Sequence, residues 1–248
     1  MITAVDQLPL AFLDSFGGAI DFIFNEREAV DEGSMVGGLD QIAEFTVTHL
    51  QVTFIALAMA LAVALPIGIW FGHRGTGELF AVAIGNAGRA IPELVLIALM
   101  VAFIGTGLLN VTIALAVLGI PPILTNTFVA MRQVDRDAVE AARGIGMSEA
   151  EVIRKVELPL AVPTIMSGVR TGAVNIVATA TIAPLAGVLT LGDLIIARNV
   201  YGDEGVIAGA ILVALLALII EVSLSAVQTA LTPRGLKLQR EAARAAAG

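Results

Sequence analysis

The stretch Glu140-Ala141-Ala142-Arg143-Gly144-Ile145-Gly146, followed by Val156-Glu157-Leu158-Pro159, decides the fold of this chain. Both motifs belong to a polar connection, residues 132–159, that lies between apolar segments at 108–131 and 160–185. Each apolar segment is long enough to cross a bilayer as a helix, which takes about 20 residues. The sequence therefore predicts an exposed loop between two membrane-spanning helices.

Signals within this loop predict two short helices joined at glycines. Asp137 and Ser148 each precede a glutamate by three residues, which is the spacing of an N-terminal capping box. Gly144 and Gly146 can supply the left-handed positions at which the first helix ends. Pro159 is expected to end the second helix, because proline disfavours the helical conformation of the residue before it.

The composition is typical of a membrane protein, since 57% of the 248 residues are hydrophobic and only 15% are charged. There is no cysteine, which excludes disulfides and thiolate-bound metals. The two histidines, His49 and His73, are too few for a histidine-rich metal site, and we expect both at the membrane interface. The first basic residue is Arg27, so we expect no cleavable signal peptide.

Five apolar segments are long enough to span the membrane as helices, and we predict an all-α polytopic membrane protein. The second segment is interrupted by Pro92 and by the charges of Arg89 and Glu93. The predicted spans are residues 45–71, 79–104, 108–131, 160–185 and 206–231.

The distribution of basic residues predicts the orientation. Ten Lys and Arg residues lie in the connections at one end of the predicted spans, and only two lie in those at the other end. Because cytoplasmic loops are enriched in Lys and Arg, the loop at 132–159 and the tail at 232–248 are expected in the cytoplasm. The acidic segment 1–44 is then extracytoplasmic, and its amphipathic helix over 10–24 is expected to lie in the interface.

Three charged residues fall within predicted spans. Arg89 and Glu93 are four residues apart in the second span, so they share a helical face and can pair. Arg170 lies about a third of the way into the fourth span, where a charge is costly and usually faces a bundle interior or water. Two interpretations stay open: these residues belong to a gate or inner cavity wall, or Glu93 neutralises Arg89 locally and Arg170 extends to the interface.

A polar stripe follows one face of the fourth span, where Thr171, Asn175 and Thr179 recur at intervals of four residues. Such a stripe suits a weakly polar translocation path, and it also suits hydrogen bonds between neighbouring helices. Asn126 of the third span is assigned to the same candidate path.

The loop pattern is Glu-Ala-Ala, three residues, Gly, nine residues, and then an aliphatic residue followed by any residue, Leu and Pro. It resembles the cytoplasmic coupling loop of ATP-binding-cassette importer permeases, although Val156 stands where isoleucine is commoner. The resemblance implies a type I importer transmembrane domain over residues 45–231. It assigns ATPase coupling to Asp137, Glu140, Ala141, Ala142, Gly144, Gly146, Ser148, Glu151, Leu158 and Pro159.

Further motifs between Thr48 and Leu231 are similar to the betaine, choline and carnitine permeases of that family. They include Arg89-Ala90-Ile91-Pro92, Gly168-Val169-Arg170-Thr171 and Leu191-Gly192-Asp193-Leu194-Ile195. Residues 187–190 depart from the Gly-rich turn that usually precedes the last motif. The resemblance implies import of a compatible solute, such as glycine betaine, choline, carnitine or proline betaine, across the prokaryotic plasma (inner) membrane.

The resemblance also implies partner chains. The sequence has no Gly-x-x-x-x-Gly-Lys-Ser/Thr loop, so we expect a non-enzymatic permease, with ATP and magnesium on two separate cytoplasmic ATPase subunits. A second permease chain, identical or paralogous, and an extracytoplasmic solute-binding protein complete the implied complex, with membrane lipid around it and no nucleic acid. A cage for a quaternary ammonium group needs several aromatic rings, and Trp70 and Tyr201 are too few. Selection is therefore expected in the binding protein.

Other functions remain as alternatives from the sequence. The same architecture could import methionine or another amino acid. A secondary transporter would have internal repeats and buried coupling carboxylates, but no clear repeat is present and only Glu93 and Glu221 are candidate carboxylates. An intramembrane enzyme would need a nucleophile or a metal cluster, and no His, Asp or Glu cluster with ligand spacing occurs.

Overall fold

A computed structural model describes residues 15–31, 33–233 and 235 of the chain. The start of the predicted interfacial helix and most of the predicted tail, residues 10–14 and 236–248, lie outside the described residues. The side chains of Ala87 and Arg89 also lie outside that description.

The described residues form ten α-helices and one two-stranded antiparallel sheet. Helix α1 covers Ser15–Phe24 and leads into the hairpin of β1 (Glu26–Glu28) and β2 (Met35–Gly37). The remaining helices are α2 (Gly38–Arg74), α3 (Glu78–Ala90), α4 (Glu93–Ile104), α5 (Leu108–Arg132), α6 (Arg136–Gly144), α7 (Glu149–Val152), α8 (Leu158–Thr179), α9 (Gly192–Ile196) and α10 (Arg198–Leu231). A π-helical turn, Ile153–Glu157, joins α7 to α8, and a 3₁₀ helix, Ala180–Ala186, follows α8.

Four helical segments are long and apolar enough to cross a membrane, and they contain the first, third, fourth and fifth predicted spans. They are Gly38–Arg74, Leu108–Arg132, Glu149–Ala186 and Arg198–Leu231. The all-α polytopic fold expected from the sequence is therefore confirmed.

The second predicted span is two helices, because α3 ends at Ala90 and α4 begins at Glu93. Pro92 explains the break, since it has no N–H to donate and disfavours the helical conformation of Ile91. The prediction that Arg89 and Glu93 share one helical face is therefore wrong, because a shared face needs a continuous helix. With 13 and 12 residues, each helix rises about 20 Å or less, which is short of a hydrocarbon core of roughly 30 Å.

The chain divides into two compact units. The first comprises Met1–Ala56, Glu93–Leu115 and Ile176–Ile219, and the second comprises Leu57–Pro92, Ala116–Asn175 and Ile220–Gly248. The whole predicted coupling loop, residues 132–159, belongs to the second unit.

Tyr201 organises the N-terminal part of the first unit. Its ring packs edge-on against Phe22 of α1 and Phe45 of α2, with centroids 6.3 and 6.4 Å away. The Tyr201 hydroxyl donates a hydrogen bond to Asp193 Oδ2 at 2.7 Å. Arg27 of β1 lies 3.3 Å from Glu204 Oε2, so the hairpin is held to the start of α10.

His49 is part of the buried core of the first unit, and its predicted interfacial position is wrong. It is fully buried, and its Nε2 lies 3.0 Å from the carbonyl oxygen of Val177. The Nε2 of this buried ring thus has a hydrogen-bond partner on α8.

Glycines bring α8 close to α5 in the second unit. A Cβ atom on Gly168 would lie 2.5 Å from the Asn126 Cβ, and one on Gly172 would lie 2.9 Å from Ile123 Cγ1. Larger residues at these positions would push the helices apart. The close approach places the polar residues of α8 beside those of α5.

Candidate functional site

Helix α6 carries the Glu-Ala-Ala motif, and its start differs from the predicted one. Asp135 is the cap, because its carboxylate accepts a hydrogen bond from the Asp137 N–H at 3.0 Å. Asp137 therefore lies within the first turn, and its predicted capping role is wrong. Val139 and Ala142 are the buried residues of α6.

The Glu-Ala-Ala motif is split between two environments. Ala142 is buried, whereas Glu140 and Ala141 are exposed on the outer side of α6. The tip that follows is exposed as well, and Ile145 has 77% of its surface open to solvent. No motif in the sequence had indicated this exposed apolar side chain.

Helix α6 ends in a Schellman motif at Gly146. The Gly146 N–H donates to the Arg143 carbonyl at 2.9 Å, and the Met147 N–H donates to the Ala142 carbonyl at 3.2 Å. Gly146 has φ +87°, so its predicted left-handed conformation is confirmed. Gly144 is the last residue of α6 and is not among the left-handed glycines, so that prediction is wrong for Gly144.

The second helix of the loop begins with the predicted capping box. The Ser148 N–H donates to Glu151 Oε2 at 3.1 Å, and the Glu151 N–H donates to Ser148 Oγ at 3.4 Å. Lys155 Nζ also donates to Glu151 Oε1 at 2.8 Å. These bonds satisfy N–H groups that have no partner inside the helix.

Pro159 does not end the second helix, contrary to the prediction. Helical structure continues from Glu149 to Ala186, with a π-helical turn at Ile153–Glu157 immediately before Leu158 and Pro159. In that turn the Leu158 N–H bonds to the Ile153 carbonyl, five residues back. The change of register places Pro159 in the first turn of α8, where its missing N–H leaves little unsatisfied.

Two ion pairs close the loop on itself and on α2. Arg143 at the end of α6 makes a bidentate contact with Glu149 of α7, at 3.1 and 2.9 Å. This hydrogen bond and the charge of Glu149 raise the pKa of the Arg143 guanidinium. Both side chains are exposed, so the pair orients the two helices more than it stabilises them.

His73 lies at the other end of the same cluster, in the last turn of α2. Its Nδ1 is 2.6 Å from Glu157 Oε2, and its Nε2 is 3.0 Å from Glu149 Oε2. The side chain of Glu157 is only 1% exposed. Each ring nitrogen of His73 thus lies within hydrogen-bond distance of a carboxylate. We call His73 with Glu157 the α2 latch, because it joins the end of α2 to the π-helical turn.

The polar residues of α5 and α8 meet in a cavity of about 280 Å³. Asn126, Thr171 and Asn175 line it, together with Thr125, the Pro121-Pro122 pair and the glycines of α3. Thr171 and Asn175 are exposed, whereas Thr179 is buried and is not part of the lining. The predicted stripe is therefore shorter than expected, and it faces an open cavity over its first two residues.

Arg170 is paired with α10, which neither open interpretation anticipated. Its Nε donates to Glu221 Oε1 at 3.0 Å, its Nη2 contacts the same oxygen, and its Nη1 donates to Gln228 Oε1 at 2.8 Å. Gln228 Nε2 in turn donates to the Pro163 carbonyl at 2.9 Å. Arg170 does not line the α5–α8 cavity, so the structure gives it a helix-joining position.

Glu93 is exposed and begins α4, where a carboxylate favourably meets the positive end of the helix dipole. Among the described residues, no group of three or more His, Cys, Asp or Glu side chains has the geometry to hold a metal ion. The sequence motifs did not identify Glu157 or Glu221 as the partner of a basic residue. The only hint in the sequence was position: Glu157 directly precedes Leu158-Pro159, and Glu221 lies within an otherwise apolar span.

Comparison with known proteins agrees with this geometry. Residues 64–236 match the family model of the binding-protein-dependent transport system inner membrane component. The chain is 36% identical to the choline transport system permease protein OpuBB of Bacillus subtilis, over 79% of this chain and 91% of that protein. It is also 36% identical to the carnitine transport permease protein OpuCB of Listeria monocytogenes, over 78% and 89%.

Two further similarities cover a comparable part of the chain. The osmoprotectant import permease protein OsmY of Salmonella typhimurium is 35% identical over 71% of this chain and 76% of that protein. A solved structure of the MetNI methionine ABC transporter, in inward-facing conformations, aligns with a TM-score of 0.69. That alignment covers 79% of this chain and 98% of the other at 22% identity, which makes the folds alike.

Proposed function

Because this chain belongs to the family of binding-protein-dependent transport system inner membrane components, we propose that it is the permease subunit of an ATP-driven importer of compatible solutes. The solute class follows from relatives of 35–36% identity that are named for choline, carnitine and osmoprotectant transport. The observation that supports this proposal best is that the similarity spans most of the chain. The matched region includes the exposed pair of helices at residues 136–152, each of which begins with a capping side chain.

We propose that ATPase subunits bind the exposed side of α6 and the tip around Ile145. This surface joins a charged rim at Glu140 to an apolar side chain that is 77% exposed, a combination suited to a partner groove. The Schellman motif at Gly146 and the Arg143–Glu149 pair hold the two loop helices in one arrangement. The loop is therefore built to move as one body when the partner moves.

Two connections carry such a movement from the loop into the second unit. The first is the α2 latch, a 2.6 Å contact between His73 and Glu157. The second is the helix itself, which continues through the π-helical turn into α8 and reaches Thr171 and Asn175. Rearrangement of a few packed helices by a partner is an established means of switching access to a site.

The α5–α8 cavity is the proposed path of the solute. Its polar lining consists of the amides of Asn126 and Asn175 and the hydroxyls of Thr125 and Thr171, which carry no net charge. A neutral, weakly polar surface lets a zwitterionic or cationic solute pass without holding it. Because Thr171 and Asn175 are exposed, we propose that a second permease chain, identical or paralogous, covers this face.

Selection of the solute is assigned to a separate binding protein. A quaternary ammonium group is held by several aromatic faces, and this chain has one Trp and one Tyr. The Tyr201 ring is packed against Phe22 and Phe45, and its hydroxyl is bonded to Asp193, so it is not free to form a cage.

The test is ATP-dependent uptake into vesicles that hold this chain with its cognate ATPase and binding protein. We expect labelled glycine betaine, choline or carnitine to accumulate only with ATP, and excess methionine to leave that uptake unchanged. Uptake of methionine alone would keep the importer and overturn the solute class. Accumulation that persists with a hydrolysis-deficient ATPase would contradict the energy source.

A further inference from the structure

A basic pocket of about 610 Å³ lies in the second unit, between the end of α2 and the coupling loop. Four arginines from three helices line it, namely Arg74, Arg132, Arg136 and Arg143. Glu149 is the carboxylate in the lining, and it is already bound to Arg143 and His73. The remaining three arginines thus share one concave surface without a carboxylate of their own.

The charge balance of this pocket is unusual. None of the ion pairs formed by the described residues involves Arg74, Arg132 or Arg136. Arg132 is nevertheless held close to the end of α2, because its guanidinium lies over Gly75, where a Cβ atom would come within 2.6 Å of Nη1. Three like charges brought together in this way favour an anion that comes from outside the chain.

The chemistry of the lining indicates which anion. Guanidinium groups present planar pairs of N–H donors that match the oxygens of a phosphate, and several arginines around one pocket favour a phosphate over a single carboxylate. Trp70 adds an aromatic wall, with the Arg74 guanidinium carbon 4.0 Å from its ring centroid. Trp70 is 52% exposed and ends an apolar helix, the usual place of a tryptophan at the level of lipid headgroups.

We propose that this pocket binds the phosphate of an anionic phospholipid headgroup. The cytoplasmic leaflet is rich in anionic lipids, and basic pockets between helices on that side suit their headgroups. The assignment to that leaflet rests on the proposed orientation of the importer. The bound phosphate joins the ends of α2 and α5 to the start of α6, directly beside the α2 latch.

The single tryptophan of the chain makes the proposal measurable, because Trp70 lies in the pocket itself. The full-length chain is placed in nanodiscs of zwitterionic lipid that contain a fixed fraction of brominated lipid, which quenches tryptophan on contact. We expect brominated phosphatidylglycerol to quench Trp70 several-fold more effectively than brominated phosphatidylcholine. Since both leaflets of a nanodisc have the same composition, the result depends on neither orientation nor transport.

Two variants distinguish lipid binding in this pocket from a general attraction between basic residues and anionic lipid. Arg132→Gln with Arg136→Gln keeps the Arg74–Trp70 stack and should abolish the anionic preference, since each basic residue contributes a factor of about five to lipid binding. Arg154→Gln, an exposed arginine of the same loop that lies outside the lining, should leave it unchanged. Equal quenching by both brominated lipids in the unaltered chain, or equal losses in both variants, would overturn the proposal.

A free phosphate is the other source of the same chemistry. Inorganic phosphate is therefore titrated into nanodiscs of zwitterionic lipid alone. No change in Trp70 emission at millimolar phosphate, together with the lipid preference, supports the headgroup. An emission change that saturates with phosphate and abolishes the lipid preference would overturn the lipid assignment.

Discussion

The α2 latch predicts a specific pattern of losses when its two residues are changed. His73→Leu leaves the carboxylate of Glu157 without its partner in a site where the Glu157 side chain is 1% exposed. Glu157→Leu is milder, because His73 keeps a second carboxylate, Glu149, at 3.0 Å. The double variant removes both charges and fills the site with apolar side chains of similar size.

The magnitudes follow from the burial of the pair, whose side chains are 9% and 1% exposed. Removing one partner of a buried ion pair typically costs about 3–5 kcal/mol, and we expect His73→Leu to fall in this range. Replacing both partners with apolar residues is often close to neutral, so the double variant should recover most of the loss. The expected coupling energy in a double-mutant cycle is therefore about 3 kcal/mol or more, at or above the upper end for neighbouring residues.

The assay is denaturant unfolding of the purified full-length chain in detergent micelles, followed by the emission of Trp70. Trp70 lies one helical turn from His73, so its signal reports on this end of α2. A control variant, Arg154→Leu, introduces the same residue at an exposed position of the π-helical turn and should change stability little. A loss below 1 kcal/mol in His73→Leu, or additive losses in the double variant, would refute the latch as an energetic connection.

Three further predictions address the loop, the helix-joining pair and the cavity. Gly146→Asp should leave the chain in the membrane but lower solute uptake per ATP hydrolysed, because φ +87° costs a residue with a side chain about 1–2 kcal/mol. The control Gly144→Asp lies at a helical position and should preserve coupling. Equal ratios of uptake to ATP hydrolysis in the two variants would contradict the role of the turn. Arg170→Glu should lower the yield of folded protein at least several-fold, as measured by size-exclusion chromatography in detergent. Adding Glu221→Arg should restore the yield. A double variant with no better yield than the single one would argue against the pair. Asn175→Leu should reduce the maximal rate of uptake while leaving binding of the solute-binding protein unchanged, and unaltered uptake would remove Asn175 from the path.

The positions of the apolar helices were predictable, because hydropathy depends on composition along the chain. The break at Pro92 was also visible, since proline acts locally on Ile91. The partners of Arg170 and His73 were not predictable, because Glu221 and Glu157 lie 51 and 84 residues further along the chain. Contacts at such separations depend on how the helices pack, which a single sequence does not specify.

Within the loop, the errors arose where two local signals competed. Asp135 and Asp137 are both suitable caps, and α6 uses Asp135. Gly144 and Gly146 can both adopt positive φ, and the Schellman motif forms at Gly146. In both cases two residues of the same type lie two positions apart, and the local sequence does not decide between them.

The error at Pro159 changes the mechanism more than the others do. A helix that ended there would leave a flexible joint between the coupling loop and the fourth span. The π-helical turn at Ile153–Glu157 removes that joint, because it keeps the backbone hydrogen-bonded up to the proline. The same turn carries Glu157, so the α2 latch grips the helix at the point where its winding changes. We therefore propose that a displacement of the loop is transmitted along α8 to the cavity residues and, through His73, to α2, without a loose segment in either direction.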